Sequence, residues 1–404
     1  MDFRKQIVQV TSARIDENIY RDDNMNICFI CSDMQTYGEF SKSNDVYVAE
    51  NLAQLGHSVT VITYKEQKYK DNQTPDGMSF IVMDLIKNIL TEEQREQLGK
   101  SKFDFVFCTS INLASLTTQI SQLNKCFSGI MVLDIPTWRL QNSDKYLPWR
   151  RQWAGWLKEL ESIDIIFANT SITTKYLNII SDNNLKERII STNYGIDIKE
   201  IEKILPQEKE NSILYVGSLV YHKGLDLLLY SLSLIENAPT LHIIGAGHGD
   251  EKSYFEKGNQ IPFRYSDMAY LLGVKCVFYG GLDNDSKFTL MKKSKLCVLP
   301  QYTQTVPSIV PLESVYCGTP CLVNDTEINR ENLGDTVIFA KDIGDTRQLA
   351  DKITSCLTDD FQQEFNENQN KFKEWIRINR STRRVAMDIH RGIMDLFSFK
   401  GRPA

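Results

Sequence analysis

Between Leu214 and Gly318 the chain carries a lysine and a helix start, spaced so that the two can meet at one anion. The run Tyr215-Val216-Gly217-Ser218-Leu219-Val220-Tyr221-His222-Lys223-Gly224-Leu225-Asp226 reads as a buried strand that turns at Gly217 into a loop holding Lys223, followed by a helix. The run Val306-Pro307-Ser308-Ile309-Val310-Pro311-Leu312-Glu313-Ser314-Val315-Tyr316-Cys317-Gly318 reads as another helix, with Ser308 as N-cap, Pro311 in the first turn and Gly318 at the end. Free amides and the helix dipole attract an anion, and a lysine neutralises it, so the two runs predict a site for a phosphorylated ligand.

The elements that must hold these residues follow from short, nearly continuous apolar runs alternating with helical spacing. Strands are expected at 27–31, 59–62, 80–83, 104–107, 130–133 and 163–167. A second series is expected at 213–216, 241–244, 276–279, 296–299, 321–323 and 337–339. The spacing of Val46, Ala49, Leu52 and Ala53 gives the first helix one buried face. Residues 198–212, with Pro206 and several charges, read as a linker between two doubly wound sheets whose ligand crevice lies at the strand carboxyl ends. The expected division is an extension over 1–24, a first domain over 25–200 and a second over 201–377. A last helix, about 378–404, returns to the first domain.

The motifs resemble the donor-binding half of glycosyltransferase family 4, the retaining nucleotide-sugar enzymes of GT-B architecture. Lys223-Gly224, Pro311-Leu312-Glu313 and Gly318-Thr319-Pro320 match in order and spacing, and the likeness covers residues 211–345. It implies an α/β fold of two Rossmann-like domains with parallel sheets facing across a cleft. It implies transfer of a hexose, with retention, from a UDP or GDP sugar to a hydroxyl acceptor, with no cofactor or metal required. In such enzymes the donor's own phosphate takes the acceptor proton. Lys223 and the amides of Ser308, Ile309 and Val310 would then face the diphosphate, and Glu313 would accept from the ribose hydroxyls. Gly217, Ser218 and Gly245 would line the donor pocket, and Gly38 would let the backbone approach the donor phosphate.

The chain departs from that pattern at four places. Ser218 stands where relatives carry arginine, and offers one neutral hydrogen bond instead of a charged fork; His222 is expected to replace part of that charge. Thr305 stands eight residues before Glu313, where a glutamate contacts the transferred sugar. Asp134 occupies the place of a reaction-centre histidine, either orienting the acceptor or capping a turn. Gly38 is a single glycine followed by Glu39. These changes keep a second reading open, a degenerate transferase acting as a binding or partner subunit. A third, an epimerase or phosphorylase on the same fold, fits the Lys223–Glu313 spacing less well.

Other signals are weaker. Gly245-Ala246-Gly247-His248-Gly249 lacks the spaced acidic residue of a dinucleotide fingerprint. Asp283-Asn284-Asp285 resembles a metal-binding Asp-x-Asp, but precedes a helix, so Asp285 is expected to cap it. Cys28 and Cys31 form C-x-x-C on a strand, where residues three apart face opposite ways. Nine cysteines, mostly in apolar runs, suit reduced thiols in a cytoplasmic protein. A net charge of −6 gives no general attraction to nucleic acid. No apolar run approaches the ~20 residues of a membrane span. Trp149, Trp153 and Trp156 share a helix face flanked by Arg150, Arg151 and Lys158. That face is either a core stripe or a peripheral contact with the inner face of a membrane.

Overall fold

The computed structural model describes residues 24–31, 44–63, 75–83, 90–132, 155–245, 264–302 and 308–401. The first sheet contains β1 (Asn26–Ile30), β2 (Ser58–Thr63), β3 (Met78–Val82), β4 (Phe105–Cys108), β5 (Phe127–Val132), β6 (Ile165–Ala168) and β7 (Ile189–Ser191), in the order β3-β2-β1-β4-β5-β6-β7. Around it lie α1 (Asn44–Gln54), α2 (Glu92–Gly99), α3 (Ala114–Asn124) and α4 (Ser171–Ile180). A short helix, α5 (Ile198–Glu202), leads to the second sheet. That sheet contains β8 (Glu210–Val216), β9 (Thr240–Ile244), β10 (Cys276–Gly280), β11 (Ser294–Leu299), β12 (Cys321–Asn324) and β13 (Ile338–Ala340), in the order β10-β9-β8-β11-β12-β13. Its helices are α6 (Leu225–Ser233), α7 (Tyr265–Leu271), α8 (Asn284–Lys293), α9 (Val310–Tyr316), α10 (Glu327–Leu333), α11 (Thr346–Cys356) and α12 (Asp359–Asn379), and the described chain ends in α13 (Thr382–Lys400).

The apolar runs become buried parallel strands because both faces of each sheet are covered. On β1, Ile27 and Phe29 join Phe105, Phe107 and Phe167 on one face, while Cys28 and Ile30 join Val106, Cys108 and Ile130 on the other. Cys31 falls with the first group, so the two thiols of the C-x-x-C diverge as the strand period requires. In the second sheet Ile213, Tyr215, Leu296 and Val298 share one face, and Leu214, Cys297 and Leu299 the other. α13 lays Val385, Ala386, Ile389, Ile393 and Phe397 on the first sheet beside Val46, Ala49 and Leu52 of α1. Among the described residues no helix is long and apolar enough to cross a membrane.

The expected linker differs from what forms. Residues 198–202 are helical and 210–212 already belong to β8. The polar Glu210 and Ser212 enter the sheet through backbone pairing with Ser294 and Thr240, which no apolar pattern announces. The chain passes between the sheets at two adjacent crossings. Ile196 N donates to Arg380 O at 2.8 Å, and Thr382 N donates to Ile196 O at 3.0 Å. Gly195 is pressed against this bridge: a Cβ there would lie 2.4 Å from the Ser381 carbonyl carbon.

Candidate functional site

Each sheet reverses its strand order once, between β1 and β4 and between β8 and β11, the point at which doubly wound sheets leave a crevice at the strand carboxyl ends. At the second of these points the backbone is held tightly. Gly217 N donates to Ile244 O at 2.9 Å, which ties the end of β8 to β9. The next residues form a single 3-10 turn, Tyr221–Lys223, closed by Gly224 at φ +71. A Cβ on Gly224 would lie 1.7 Å from Pro300 O, so only glycine lets this turn rest on the end of β11. Tyr302 N donates to His222 O at 3.0 Å from the same strand end. Gly245 follows β9 and donates to Gly280 O at 2.8 Å. A Cβ there would lie 1.8 Å from Gly217 O. The ends of β8, β9, β10 and β11 thus form one rim, on which Lys223 sits half-buried.

His222 is a poor source of positive charge on this rim at neutral pH. Burial first, and then the neighbouring Lys223 charge, lower its pKa from the ordinary imidazole value, so it stays neutral at pH 7. Before an anion binds, His222 is therefore a weak source of the charge expected of it beside Ser218. Tyr221 stacks on Tyr302 with ring centroids 4.8 Å apart, and the Tyr302 hydroxyl donates to Asp226 Oδ2 at 2.7 Å. That arrangement fixes the Lys223 turn from its other side.

The helix after β11 starts later than Ser308 would require. Ile309 occupies the N-cap position of α9 without a side-chain cap, and its backbone is already helical at φ −81, ψ −23. Pro311 sits within the first two helical positions, where its missing N–H costs no helix bond. Ser308 therefore precedes the cap and is not it. Ile309 O accepts from Glu313 N at 2.9 Å, which places Glu313 in the first turn, and Gly318 follows the helix at φ +84 as expected.

Glu313 is buried, and its Oε1 accepts from Lys287 Nζ at 2.9 Å. Its Oε2 is also buried, with no hydrogen-bond donor among the described residues. Lys287 stands on α8 four residues before the buried Met291, so it lies along the inner edge of that helix. That spacing was the available sequence signal for Lys287, but its partner is set only by tertiary packing. The cap of α8 is Asp283, whose Oδ1 accepts from Ser286 N at 2.7 Å, and not Asp285, which lies inside the first turn. Both aspartates can cap; the chain leaves Asp283 in extended backbone, φ −66, ψ 166, which is the N-cap conformation.

At the β1/β4 switch point the sequence reading missed Asp45, in the first turn of α1. It is buried and accepts from the Thr109 hydroxyl at 2.6 Å, just past β4. Across from it Asn284 Nδ2 donates to the Tyr47 hydroxyl at 3.4 Å, bringing α8 against α1. Gly38, Asp134, Thr305, Trp149 and Trp153 lie outside the described residues. Trp156 is half-buried and packs against the first sheet's core.

Residues 197–374 match the family described as Glycosyl transferases group 1, a span that covers the second sheet and the rim around Lys223. An uncharacterized glycosyltransferase of Methanocaldococcus jannaschii is 26% identical over 217 residues, 50% of this chain and 53% of that protein. The chain thus matches about half the length of this curated relative. Sucrose-phosphate synthase from Thermosynechococcus elongatus superposes with a TM-score of 0.68 at 15% identity, over 93% of this chain and 100% of that one. Anabaena HepE in complex with UDP-glucose superposes with a TM-score of 0.67 at 13% identity, over 92% of this chain and 100% of that one. The two sheets and these whole-length superpositions establish the GT-B arrangement of two Rossmann-like domains.

Proposed function

We propose that this chain is a retaining, metal-independent glycosyltransferase that moves a hexose from a nucleoside-diphosphate sugar to a hydroxyl acceptor, in the manner of family 4. One observation carries the reading: Lys223 is fixed on the β8/β11 rim, in a second domain that also holds Glu313 with one buried, undonated carboxylate oxygen. Lys223 and the backbone amides at residues 308–310 neutralise the diphosphate, and Glu313 takes a ribose hydroxyl. Gly217, Ser218 and Gly245 shape the pocket by backbone. Anabaena HepE, a structural neighbour, is seen in complex with UDP and with UDP-glucose, which supports a nucleotide-sugar donor. Residues 25–200 would bind the acceptor and 201–377 the donor. Asp134 orients the acceptor and Thr305 contacts the transferred sugar. Stabilising the leaving diphosphate is the largest catalytic contribution these parts can make.

The test is a panel of UDP, GDP and ADP sugars, read by thermal shift and by product anomer, with and without EDTA. A melting-temperature rise for one base class, unchanged by EDTA, is the expected result. Loss of binding on chelation, with the fold intact, would return Asp283 and Asp285 to consideration as metal ligands. A second reading, a catalytically degenerate binding subunit, is favoured by Ser218 and by the neutral His222, which leave this part of the rim short of positive charge. It predicts binding with neither transfer nor slow donor hydrolysis. We also propose a cytoplasmic location with peripheral membrane contact through Trp149, Trp153 and Trp156. Sedimentation with anionic liposomes would show co-pelleting if that holds, and none if the stripe belongs to the core.

A further inference from the structure

Lys287 and Glu313 form an ion pair that holds the carboxylate by one oxygen only. The two side chains are 15% and 7% exposed, and Nζ···Oε1 is 2.9 Å. The Lys287 ammonium also lies 4.5 Å from the centre of the Phe288 ring, a second contact that restrains it. Oε2 is left buried and undonated among the described residues. A desolvated carboxylate oxygen without a donor is costly, and a ligand hydroxyl relieves that cost on binding. A free carboxylate can accept from two vicinal hydroxyls at once, one on each oxygen. A carboxylate whose Oε1 already accepts from a buried ammonium keeps one lone pair there, weakened by the ion pair, while Oε2 keeps both and is the stronger acceptor left to a ligand.

We propose that Lys287 is a positioning and specificity-determining residue: by engaging Oε1 it leaves Oε2 as the dominant acceptor, so that Glu313 reads one hydroxyl of the donor's ribose far more strongly than the other. This rests on the proposed nucleotide-sugar function and deepens it. The consequence is a lopsided response to sugar deletion. Of the 2′-deoxy and 3′-deoxy forms of the bound nucleoside diphosphate, one is expected to bind about tenfold more weakly than the ribonucleotide, since a site built for a hydroxyl rejects its absence. The other is expected to stay within about twofold.

The experiment is calorimetric titration of UDP and its two deoxy analogues, or of the GDP or ADP set if the donor panel returns that base. It uses the wild-type chain and the Lys287→Met, Lys287→Arg and Glu313→Gln variants, with folding checked by circular dichroism. Lys287→Met should level the two analogues and raise the donor KM with kcat unchanged; Lys287→Arg should keep the asymmetry. Equal losses on both deletions in the wild type would overturn the proposal without any variant, as would a Lys287→Met protein that keeps the wild-type asymmetry. If Glu313→Gln leaves all three affinities unchanged while Lys223→Ala abolishes binding, the ribose assignment of Glu313 itself is wrong. If no nucleoside diphosphate binds the wild type, the nucleotide-sugar reading fails and takes this inference with it.

Discussion

The two sheets share a doubly wound strand order, yet the crevices at their switch points are made of different material. Around β8 and β11 the walls are backbone, with Gly224 against Pro300 and Gly245 against Gly217, each too close for a Cβ. Around β1 and β4 the described wall is a side-chain pair, Asp45 and Thr109, at the start of α1. Backbone walls cannot be altered by substitution without moving the chain, which suits a ligand part that never varies, such as a diphosphate. Side-chain walls can be exchanged one residue at a time, which suits a part that differs between enzymes, such as an acceptor.

Substitution tests that contrast directly. Gly224→Ala adds a Cβ 1.7 Å from Pro300 O at a residue with φ +71, and we expect it to lower stability by about 2–4 kcal/mol. Thr109→Val removes one donor from Asp45 while keeping the side chain's shape, and should cost about 1 kcal/mol. Urea unfolding of both variants compares them on one scale. Equal losses would mean that the two crevices are equally rigid and that the contrast is mistaken.

Binding sharpens it further. Lys223→Ala should lose about 1.5–3 kcal/mol of nucleoside-diphosphate affinity, the worth of a charge-assisted hydrogen bond. The melting temperature should fall less than in Gly224→Ala, because the turn is closed by Gly224 and by the Tyr302–His222 backbone bond. Thr305→Glu places a carboxylate where glycosyltransferase family 4, which the motifs resemble, has one. It should shift preference between donor sugars by about 1 kcal/mol, measured as a ratio of kcat/KM values. If that variant alone creates turnover in an otherwise inactive protein, the degenerate-subunit reading is the correct one.

Much of this was legible before the structure, and the gaps have identifiable causes. Twelve of the strands could be placed because each is an apolar run long enough to cover both sheet faces. β7, Ile189–Ser191 at the sheet edge, was missed because only two apolar residues stand between Arg188 and Ser191, whereas the equally short β13 lies in the four-residue apolar run Val337–Ala340. The last helical stretch was read as continuous, but it breaks at Arg380 and Ser381 without a glycine or proline. The break comes from the bridge to Ile196, a tertiary demand, although Ser381 then caps α13 through Arg384 N at 3.2 Å, which is a local signal. Lys223 and Glu313 were legible as motif positions. Lys287 was not, because the residue that gives it meaning lies on another helix 26 positions away. Asp45 escaped for the same reason, since Thr109 reaches it across 64 residues.

The smallest expected effect concerns what joins the two regions. Glu331, on α10 of the second sheet, accepts from Ser171 N at 2.6 Å and from Ser171 Oγ at 2.8 Å, at the first residue of α4 beside the first sheet. A carboxylate at that helix start meets the positive end of the dipole. The same helix α10 is gripped from behind by Arg380, which donates to Glu331 O and Asn332 O, both at 2.7 Å, from the crossing that bridges Ile196. The contact therefore links the crossing, the second sheet's α10 and the first sheet's α4. Because Ser171 is exposed, Glu331→Ala should cost no more than about 1 kcal/mol of stability. Its larger consequence should be geometric: with the contact removed, the two sheets lose one of the bonds that set their spacing. Small-angle scattering should then give a larger radius of gyration, and turnover that needs both crevices should fall while nucleoside-diphosphate binding, which we propose lies in the second alone, should not. If scattering and turnover both match the wild type, Glu331 merely caps a helix, and the two crevices are held in register by the crossings alone.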